Sequence, residues 1–447
     1  MKSREQKKII RLNLRFFLTL PLLLALTLSY GCTPGKLLTK IDKESVIAGS
    51  VLIDTQNKTV IYIAKEREDK GGGQYLVINN QREKTFDFIR RDIFVFSPEG
   101  NTVAYVAKKG SQWLTVINGE EGEPFQAIAR KTLVFSPNGE RVAYGAQKNN
   151  KWLVVLDGKS GPTYEMILMK SLVFSPSSAR FAVAFSENSK SFVILDNIKG
   201  NLYDEILPES ITFSPDNKKL AYAARAGADW FIVTHSNGVV TRAKSFDKIF
   251  PKSLVFSPDS KRLFFSATKN KFVYGVLGDE LSPPYKYIAE ETTRFSPNGE
   301  VVAYAAKKPK QWFFVSSGEP AIGPYASFGR ESITFSPNGS NLAYIAKNKD
   351  GWIVVVNQIA HEPYDAVMKG TLQLDDDGLA TYVVINDGEV FVVQRKPGVS
   401  EEPKKILTLD KRILLKKGGR VVFDTPKKIH YITRNKLKFY ATDALLP

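Results

Sequence analysis

Cysteine, histidine and familiar catalytic motifs are scarce or missing in this chain of 447 residues, which has one cysteine and three histidines. A single cysteine cannot form an intramolecular disulfide, and it excludes an iron–sulfur cluster and a C-x-x-C-H haem attachment. The sequence has no G-x-S-x-G elbow, no Walker phosphate loop and no H-E-x-x-H zinc motif. Because His235, His361 and His430 lie far apart along the chain, we expect each to be structural or on the surface. We therefore predict no catalytic residues, no metal or cofactor site, and no enzymatic activity.

Helical periodicity is missing as well, and a unit of about 39 residues recurs ten times in its place. Within these copies no apolar pattern of period 3.6 persists for ten residues. A fixed period of this length means that one supersecondary unit is stacked, because a single copy cannot bury its own apolar face. The copies align on Ile53, Phe96, Phe135, Phe174, Phe213, Phe256, Phe295, Phe335, Leu374 and Leu414.

The copy from Thr132 to Lys170 shows the order of elements inside a unit. A short β-rich run ends at Phe135, and Ser-Pro-Asn-Gly follows, where proline ends the ladder and Asn-Gly tolerates positive φ. Further β-rich runs at 141–146, 152–156 and 164–168 are each bounded by turn residues. The pattern predicts a meander of four antiparallel strands, with residues 164–168 as the fourth.

Equivalent positions hold equivalent residues from copy to copy. Nine positions after the first aligned residue, aromatics recur at Tyr62, Tyr105, Tyr144, Tyr222, Phe265, Tyr304, Tyr344 and Phe423. Seventeen positions after it, they recur at Trp113, Trp152, Trp230, Trp312, Trp352, Phe391 and Tyr431. Such recurrence favours packing between copies over ligand stacking. In the tenth copy, Leu414 predicts a turn glycine at Gly418 and an aromatic at Phe423.

The motif Phe-Ser-Pro-x-Gly followed by Ala-Tyr stands at Phe96–Gly100, Phe135–Gly139, Phe295–Gly299 and Phe335–Gly339. It resembles the repeats of WD-repeat-like, TolB-like bacterial β-propellers, and the resemblance covers residues 52–443. This implies an all-β fold, a β-propeller of four-stranded antiparallel blades with the Phe-Ser-Pro strand nearest the central channel. We favour a single large ring of ten blades; two smaller rings, or eight blades with atypical ends, are the alternatives. A strand within residues 36–50, with Ser45 to Ala48 as the candidate, is expected to close the ring.

The N-terminal segment resembles a bacterial lipoprotein signal. A basic start is followed by an apolar run from Phe16 to Leu28, which is too short to span a bilayer, and Gly31 stands directly before Cys32. The chain divides into a signal peptide (1–31), a tether with a candidate ring-closing strand (32–51), the repeats (52–443) and a tail (444–447). We expect lipid anchoring through Cys32 on the periplasmic face of the outer membrane; the alternative is cleavage beyond Cys32.

Positive charge is uneven along the chain. The net charge is +17, of which residues 1–15 contribute 6 − 1 = +5 and residues 395–438 contribute 14 − 4 = +10. The basic segment suits an anionic surface, although lysines on exposed strands also prevent edge-to-edge pairing. Because an exported protein does not meet nucleic acid, we expect no nucleic-acid partner.

Variable turns on one rim are the expected recognition elements. Glu120–Pro124, Gly158–Pro162 and Ser316–Pro320 keep Gly and Pro but vary in charge. We assign the aspartates of Asp375–Gly378 to turn chemistry rather than to calcium binding. We predict a monomeric, membrane-anchored envelope β-propeller that acts as a non-enzymatic interaction platform for an envelope protein or an anionic glycan. The alternative is a polysaccharide lyase or hydrolase that uses carboxylates at the channel mouth.

Overall fold

The protein forms a ring of ten antiparallel blades, each of which is a separate sheet. The structure is a computed structural model, and it describes residues 35–396, 398, 404–410, 412–413 and 420–446. The predictions of an all-β β-propeller and of a single ring of ten blades are confirmed. Features predicted at Cys32, Leu414 and Gly418 lie outside the described residues. Among the described residues, no helix has the length and apolar character that a membrane crossing requires.

Each blade runs from an inner strand, which carries the Phe-Ser-Pro motif where it is present, through a second and a third strand to an outer strand. The inner strands, several of them in two halves, are Leu52–Asp54, Phe88–Phe96, Ala127–Ile128 with Val134–Phe135, Met166–Ile167 with Val173–Phe174, Glu205–Ile206 with Thr212–Phe213, Lys248–Ile249 with Val255–Phe256, Tyr287–Phe295, Ser327–Phe328 with Thr334–Phe335, Ala366–Val367 with Gln373–Leu374, and Val421–Thr425. The second strands are Thr59–Lys65, Val103–Lys109, Val142–Lys148, Phe181–Glu187, Lys219–Ala226, Leu263–Lys269, Val302–Lys307, Leu342–Lys347, Ala380–Asn386 and Lys428–Asn435.

The two peripheral strands complete each blade. The third strands are Gln74–Ile78, Gln112–Ile117, Lys151–Leu156, Lys190–Leu195, Asp229–Ser236, Phe272–Leu277, Trp312–Ser316, Trp352–Val356, Glu389–Arg395 and Lys438–Leu445. The outer strands of blades 1 to 9 are Gln81–Phe86, Glu120–Glu121, Lys159–Ser160, Ile198–Lys199, Val239–Arg242, Glu280–Leu281, Ile322–Tyr325, Ile359–Ala360 and Lys404–Thr408, and that of blade 10 is Lys36–Lys40. Short 3₁₀ turns lie at Glu68–Lys70, Pro208–Ser210 and Pro251–Ser253.

The outer strand comes earlier in each repeat than the sequence pattern predicts. In blade 3 it is Lys159–Ser160, which pairs with the end of the third strand. Residues 164–168, predicted as the fourth strand, instead lead to the next blade. Tyr164 bridges Trp152, and Met166–Ile167 is the first half of the inner strand of blade 4. A strand of two residues is too short to produce an alternating pattern, so the prediction was wrong here.

A buried serine or threonine bends the inner strand in eight blades, three positions before the first aligned residue. In each case the hydroxyl donates to the carbonyl oxygen three residues earlier, and in most it also accepts an N–H of the second strand. At Ser171 these partners are the Leu168 oxygen at 2.6 Å and the Ala184 nitrogen at 3.0 Å. The hydroxyl thus supplies partners to backbone groups that the bend leaves without a ladder. The residues are Ser50, Thr132, Ser171, Ser210, Ser253, Thr292, Ser332 and Thr371.

Strands from near the two ends of the described chain pair to close the ring. Lys36–Lys40 lies antiparallel to Lys438–Leu445 and becomes the outer strand of blade 10. Ser45 to Ala48, the segment expected to do this, instead lies along the second strand of blade 1, where Val46 bridges Ala64. Ring closure therefore depends on backbone hydrogen bonds between sequence-distant segments.

The tenth repeat is shifted relative to its alignment in the sequence. Phe423 belongs to the inner strand Val421–Thr425, and the aromatic of the second strand is Tyr431. The prediction that placed Phe423 in the second strand and Tyr431 in the third is wrong. Phe423 holds in the tenth copy the place that Leu374 holds in the ninth, and the interval between them is 423 − 374 = 49 residues. The interval is long because the chain after the third strand of blade 9 is longer than in the other copies.

An aromatic side chain of the second strand fills the space between a blade and the blade before it at nine of the ten interfaces. Tyr144 of blade 3 packs against Ala104 and Val106 of blade 2. Tyr344 of blade 8 stacks on Phe314 of blade 7, with 4.3 Å between ring centres. Packing between blades is thus the role of this column. Its members are Tyr62, Tyr105, Tyr144, Tyr222, Phe265, Tyr304, Tyr344, Tyr382 and Tyr431.

The Ser-Pro turns add hydrogen bonds between neighbouring blades along one rim. The Asn138 N–H of blade 3 donates to Ser178 Oγ of blade 4 at 3.0 Å, and the Ser177 N–H donates to Asn217 Oδ1 of blade 5 at 2.8 Å. The same kind of link joins blades 5 and 6. These turns therefore hold blades to one another as well as reversing the chain.

Removal of one inner-strand hydroxyl tests its structural role. We expect Ser171→Ala to lower the free energy of unfolding by about 1–3 kcal/mol, because a buried N–H and a buried carbonyl lose a partner. Urea unfolding followed by circular dichroism measures this. Ser340→Ala, at an exposed position, is the control and should change stability by less than about 0.5 kcal/mol. Equal effects of the two substitutions would contradict the assigned role.

Candidate functional site

The aromatic column of the second strands has one break, at the interface between blades 3 and 4. Val183 stands where the other nine blades carry Tyr or Phe, and it pairs with Ile194 as Tyr144 pairs with Val155 in blade 3. The backbone register is thus unchanged, and Val183 is not the only side chain that differs, because Phe185 also stands where blade 3 has Ala146. Valine at this place is visible in the sequence nine positions after Phe174, but the sequence does not show whether other side chains fill the space.

A cavity of about 560 Å³ lies at this interface. Its apolar wall includes Val154 and Leu156 of blade 3 and Phe181, Val183 and Ile194 of blade 4. Ligand sites in proteins usually enclose roughly 300–1,000 Å³. The cavity is therefore large enough for a small molecule or for side chains of a partner.

The neighbouring interface between blades 2 and 3 shows which side chain is absent between blades 3 and 4. A Cβ atom added to Gly122 of blade 2 would meet the Tyr144 hydroxyl oxygen at 3.4 Å. A Cβ atom at Gly161, the equivalent glycine of blade 3, would meet only the Val154 carbonyl oxygen, at 3.3 Å. The space that a tyrosine hydroxyl occupies beside blade 2 is therefore open beside blade 3.

Polar groups line one end of the cavity. Arg141 Nε donates to Asp157 Oδ2 at 2.9 Å, which fixes the guanidinium group in place. The Ser160 hydroxyl donates to Glu123 Oε2 of blade 2 at 3.2 Å and so faces the blade 2–3 interface. Lys159 is exposed at the mouth and has no ion pair with any described residue. The mouth thus offers one uncompensated positive charge beside an apolar interior.

A second cavity, of about 400 Å³, lies between blades 4 and 5. Arg180, Lys218 and His235 line it, and Asp196 forms an ion pair with Arg180 at 2.7 Å. His235 Nε2 lies 3.0 Å from the hydroxyl of Tyr222, and burial together with the Arg180 charge lowers the pKa of His235. Because the column tyrosine is present at this interface, the blade 3–4 cavity is the stronger candidate.

Carboxylates of the inner strands, which the predicted lyase or hydrolase would need, form ion pairs between blades. Glu209 of blade 5 binds Lys170 of blade 4 at 2.7 Å and lies 3.6 Å from Lys252 of blade 6. Lys170 lowers the pKa of Glu209, whereas burial raises the pKa of Glu290. Further pairs between blades are Arg130–Asp92, Arg330–Glu291 and Lys369–Glu331. This arrangement holds blades together and does not favour the enzymatic alternative.

His430 lies buried at the seam between blades 10 and 1. Its Nδ1 is 2.6 Å from Asp424 Oδ1 and its Nε2 is 2.6 Å from the Thr55 carbonyl oxygen. Asp424, His430 and Asp443 bring potential metal-ligand atoms within 4.8 Å of one another. Lys58 Nζ already lies 2.5 Å from Asp443 Oδ1, however, and both ring nitrogens have oxygen partners. The cluster therefore serves to join the two blades.

The other residues proposed from the sequence are dispersed around the ring. His361 is buried against Tyr382, with 3.1 Å between Nδ1 and the hydroxyl oxygen, and burial lowers its pKa to about 4. Asp375 Oδ1 accepts backbone N–H groups of its own turn. Of the three variable turns, Gly158–Pro162 contributes residues 159–162 to the lining of the blade 3–4 cavity. Cys32 lies outside the described residues.

Four of the basic residues that the structure describes within 395–438 form ion pairs. The ion pairs are Arg395–Glu362, Lys405–Glu389, Arg412–Asp410 and Lys428–Asp424. The Arg395–Glu362 pair links blade 9 to the chain after the outer strand of blade 8, and the other three pairs are local. All four reduce the charge available to an anionic partner.

Comparison with known proteins shows the fold alone. No protein-family model matches the chain, and no curated protein sequence matches it. A solved eukaryotic initiation factor is similar at 11% identity over 80% of this chain and 95% of the other, with a TM-score of 0.43. TolB from Acinetobacter baumannii is similar at 16% identity over 58% of this chain and 73% of the other, with a TM-score of 0.27. The predicted likeness to TolB-like propellers is confirmed for the fold, whereas the lipoprotein assignment stays a prediction.

Some of the similar solved structures correct the prediction that the chain is not an enzyme. Dihydro-heme d1 dehydrogenase NirN is similar at 12% identity over 85% of this chain and 76% of the other, with a TM-score of 0.34. An acylaminoacyl peptidase from Pyrococcus horikoshii is also similar, at 13% identity. Both of these proteins are named as enzymes, so missing sequence motifs do not support the prediction that the chain is not an enzyme, because a fold does not by itself decide activity.

Exchanging side chains between two equivalent interfaces tests whether the cavity is a vacant packing position. We expect Tyr144→Val to lower the free energy of unfolding by about 2–5 kcal/mol, because it opens a cavity between blades 2 and 3. We expect Val183→Tyr to raise it by about 0.5–2 kcal/mol, because the ring enters existing space. Urea unfolding of both variants measures the difference. A large loss of stability in Val183→Tyr would show that the position is already filled.

Proposed function

We propose that the protein is an interaction platform of the bacterial envelope that binds a partner protein at the blade 3–4 cavity. The observation that carries this proposal is the single break in the aromatic column at Val183. Nine interfaces are filled by a side chain of the same position, and an unfilled apolar cavity costs stability. Departures from an otherwise consistent pattern are expected at functional sites. An anionic glycan at the basic mouth is the alternative ligand.

The position of the cavity also supports binding. Gly158–Pro162, one of the variable turns, forms part of its lining, and Lys159 and Ser160 there are exposed. Loops and short edge strands at the periphery tolerate sequence change without loss of the ring. Because Lys159 and Ser160 are exposed, a partner can reach this part of the lining from solvent.

Site-specific photo-cross-linking tests the proposal. A photoreactive amino acid at position 159 should form a cross-link to one partner protein in cells, because the side chain stands at the cavity mouth. Glu120 of blade 2 holds the same place in its outer strand, as the pairs Leu156–Lys159 and Ile117–Glu120 show. The photoreactive residue at position 120 should give no such product, since Tyr144 fills that interface.

Val183→Tyr is the second control for this experiment. The substitution fills the cavity and should abolish the cross-link from position 159, while the variant stays folded by circular dichroism. A cross-link that persists in Val183→Tyr, or that forms equally from position 120, would count against the blade 3–4 cavity as the binding site. Cross-linking to glycan instead of protein would support the alternative ligand.

We further propose that Cys32 carries a lipid that anchors the ring to a membrane, with the outer membrane as the expected location. The ring-closing strand begins at Lys36, and four residues of extended chain span at most about 14 Å. Such a tether would hold blade 10 close to the membrane surface.

Loss of the cysteine should release the protein. We expect Cys32→Ser to abolish incorporation of labelled palmitate and to move the protein from the membrane fraction to the soluble or precursor fraction. Thr33→Ser, one position away, should leave both measurements unchanged. Palmitate labelling that survives in Cys32→Ser would disprove lipidation at this residue.

A further inference from the structure

The blade 3–4 cavity lies where an aromatic side chain of the second strand packs at the other interfaces. At the adjacent interface Tyr144 enters from the second strand and packs on the preceding blade. The equivalent cluster between blades 3 and 4 contains Val183 in that place, with Val154 and Phe185 around it. The free space is thus complementary to an aromatic ring that arrives from outside.

The polar surroundings of the column hydroxyls indicate which aromatic side chain fits best. The hydroxyl of Tyr344 lies 2.7 Å from that of Tyr325 in the preceding blade, and the hydroxyl of Tyr382 lies 3.1 Å from His361 Nδ1. At the blade 3–4 interface, Val154 of the preceding blade lines the cavity, and its carbonyl oxygen, which accepts one backbone N–H, can accept a further hydrogen bond. A phenol is therefore better matched than a phenyl ring, because a buried hydroxyl needs a partner.

The charge of Lys159 at the cavity mouth sets a second requirement for the ligand. Asp157 is neutralised by Arg141, whereas Lys159 on the outer strand has no acidic partner among the described residues. Because Lys159 lines the same cavity, a residue next to the tyrosine in a ligand would come close to this ammonium group. An acidic neighbour complements it.

From this geometry we infer that the cavity receives a tyrosine side chain of a partner polypeptide, with an acidic residue beside Lys159. The partner's ring takes the place that the column tyrosine holds at the other interfaces. This inference deepens the proposed function and rests on it, since it names the chemistry of the partner at the same site.

Two probes test the inference by isothermal titration calorimetry on the intact protein. The first is the capped peptide acetyl-Asp-Tyr-Asp-amide, and the second is 4-methylphenol, the isolated tyrosine side chain. We expect one equivalent of each to bind. We expect Val183→Tyr to weaken both by about tenfold or more, because the ring can no longer be buried. Val183→Ile, which leaves most of the space open, is the matched control and should bind both probes.

Lys159→Ala separates the charge from the cavity. It should weaken the peptide by about two- to fivefold and leave 4-methylphenol unchanged, as expected for an exposed ion pair. The peptide with alanine in place of tyrosine should not bind. Equal binding of the tyrosine peptide to the wild type and to Val183→Tyr would overturn the inference.

Two further outcomes separate this inference from the proposed function. Binding of 4-methylphenol without binding of the peptide would assign the cavity to a free phenol and overturn the partner side chain. Binding of neither probe, together with a cross-link from position 159 that Val183→Tyr abolishes, would overturn the tyrosine assignment and leave the platform function standing.

Discussion

The stability of every blade in this ring depends on side chains of the neighbouring blades that pack against it. A four-stranded blade has two apolar faces and no core of its own, so the apolar clusters lie between blades rather than within them. The aromatic of the second strand, such as Tyr144 or Tyr344, fills nine of the ten interfaces. Any change at that position therefore alters two blades at once. Val183 is the one place where the chain departs from this constraint, and a cavity of about 560 Å³ lies beside it.

Hydrogen bonds keep the blades in a fixed relation so that this packing can form. The inner strand must bend to fit the ring, and a bend leaves backbone groups without a ladder partner. Ser171 and its equivalents supply those partners from a side chain. Turn contacts such as Asn138 to Ser178, and ion pairs such as Lys170 to Glu209, then join each blade to the next.

Much of the fold could be predicted because its information is local and repeated. The Phe-Ser-Pro turn and the spacing from Phe135 to Tyr144 indicate strands and turns within one copy, and repetition indicates the stacking. Errors arose where the pattern is short or interrupted. The two-residue strand Lys159–Ser160 has no periodicity to detect, and the longer chain before Phe423 shifted the tenth copy by several positions. The buried hydroxyls were overlooked, although their fixed spacing before the aligned residue is visible in the sequence.

The sequence by itself determined the all-β class, the blade as the repeated unit and the packing role of most aromatics, because each follows from the order of residues within about 39 positions. Only the tertiary structure decided that Lys36–Lys40 closes the ring and that His430 joins blades 10 and 1, since both depend on contacts between distant segments. It also decided the candidate site. Valine at position 183 is readable in the sequence, but whether Phe181, Phe185 or the neighbouring blade fills the gap is a question of volume in three dimensions.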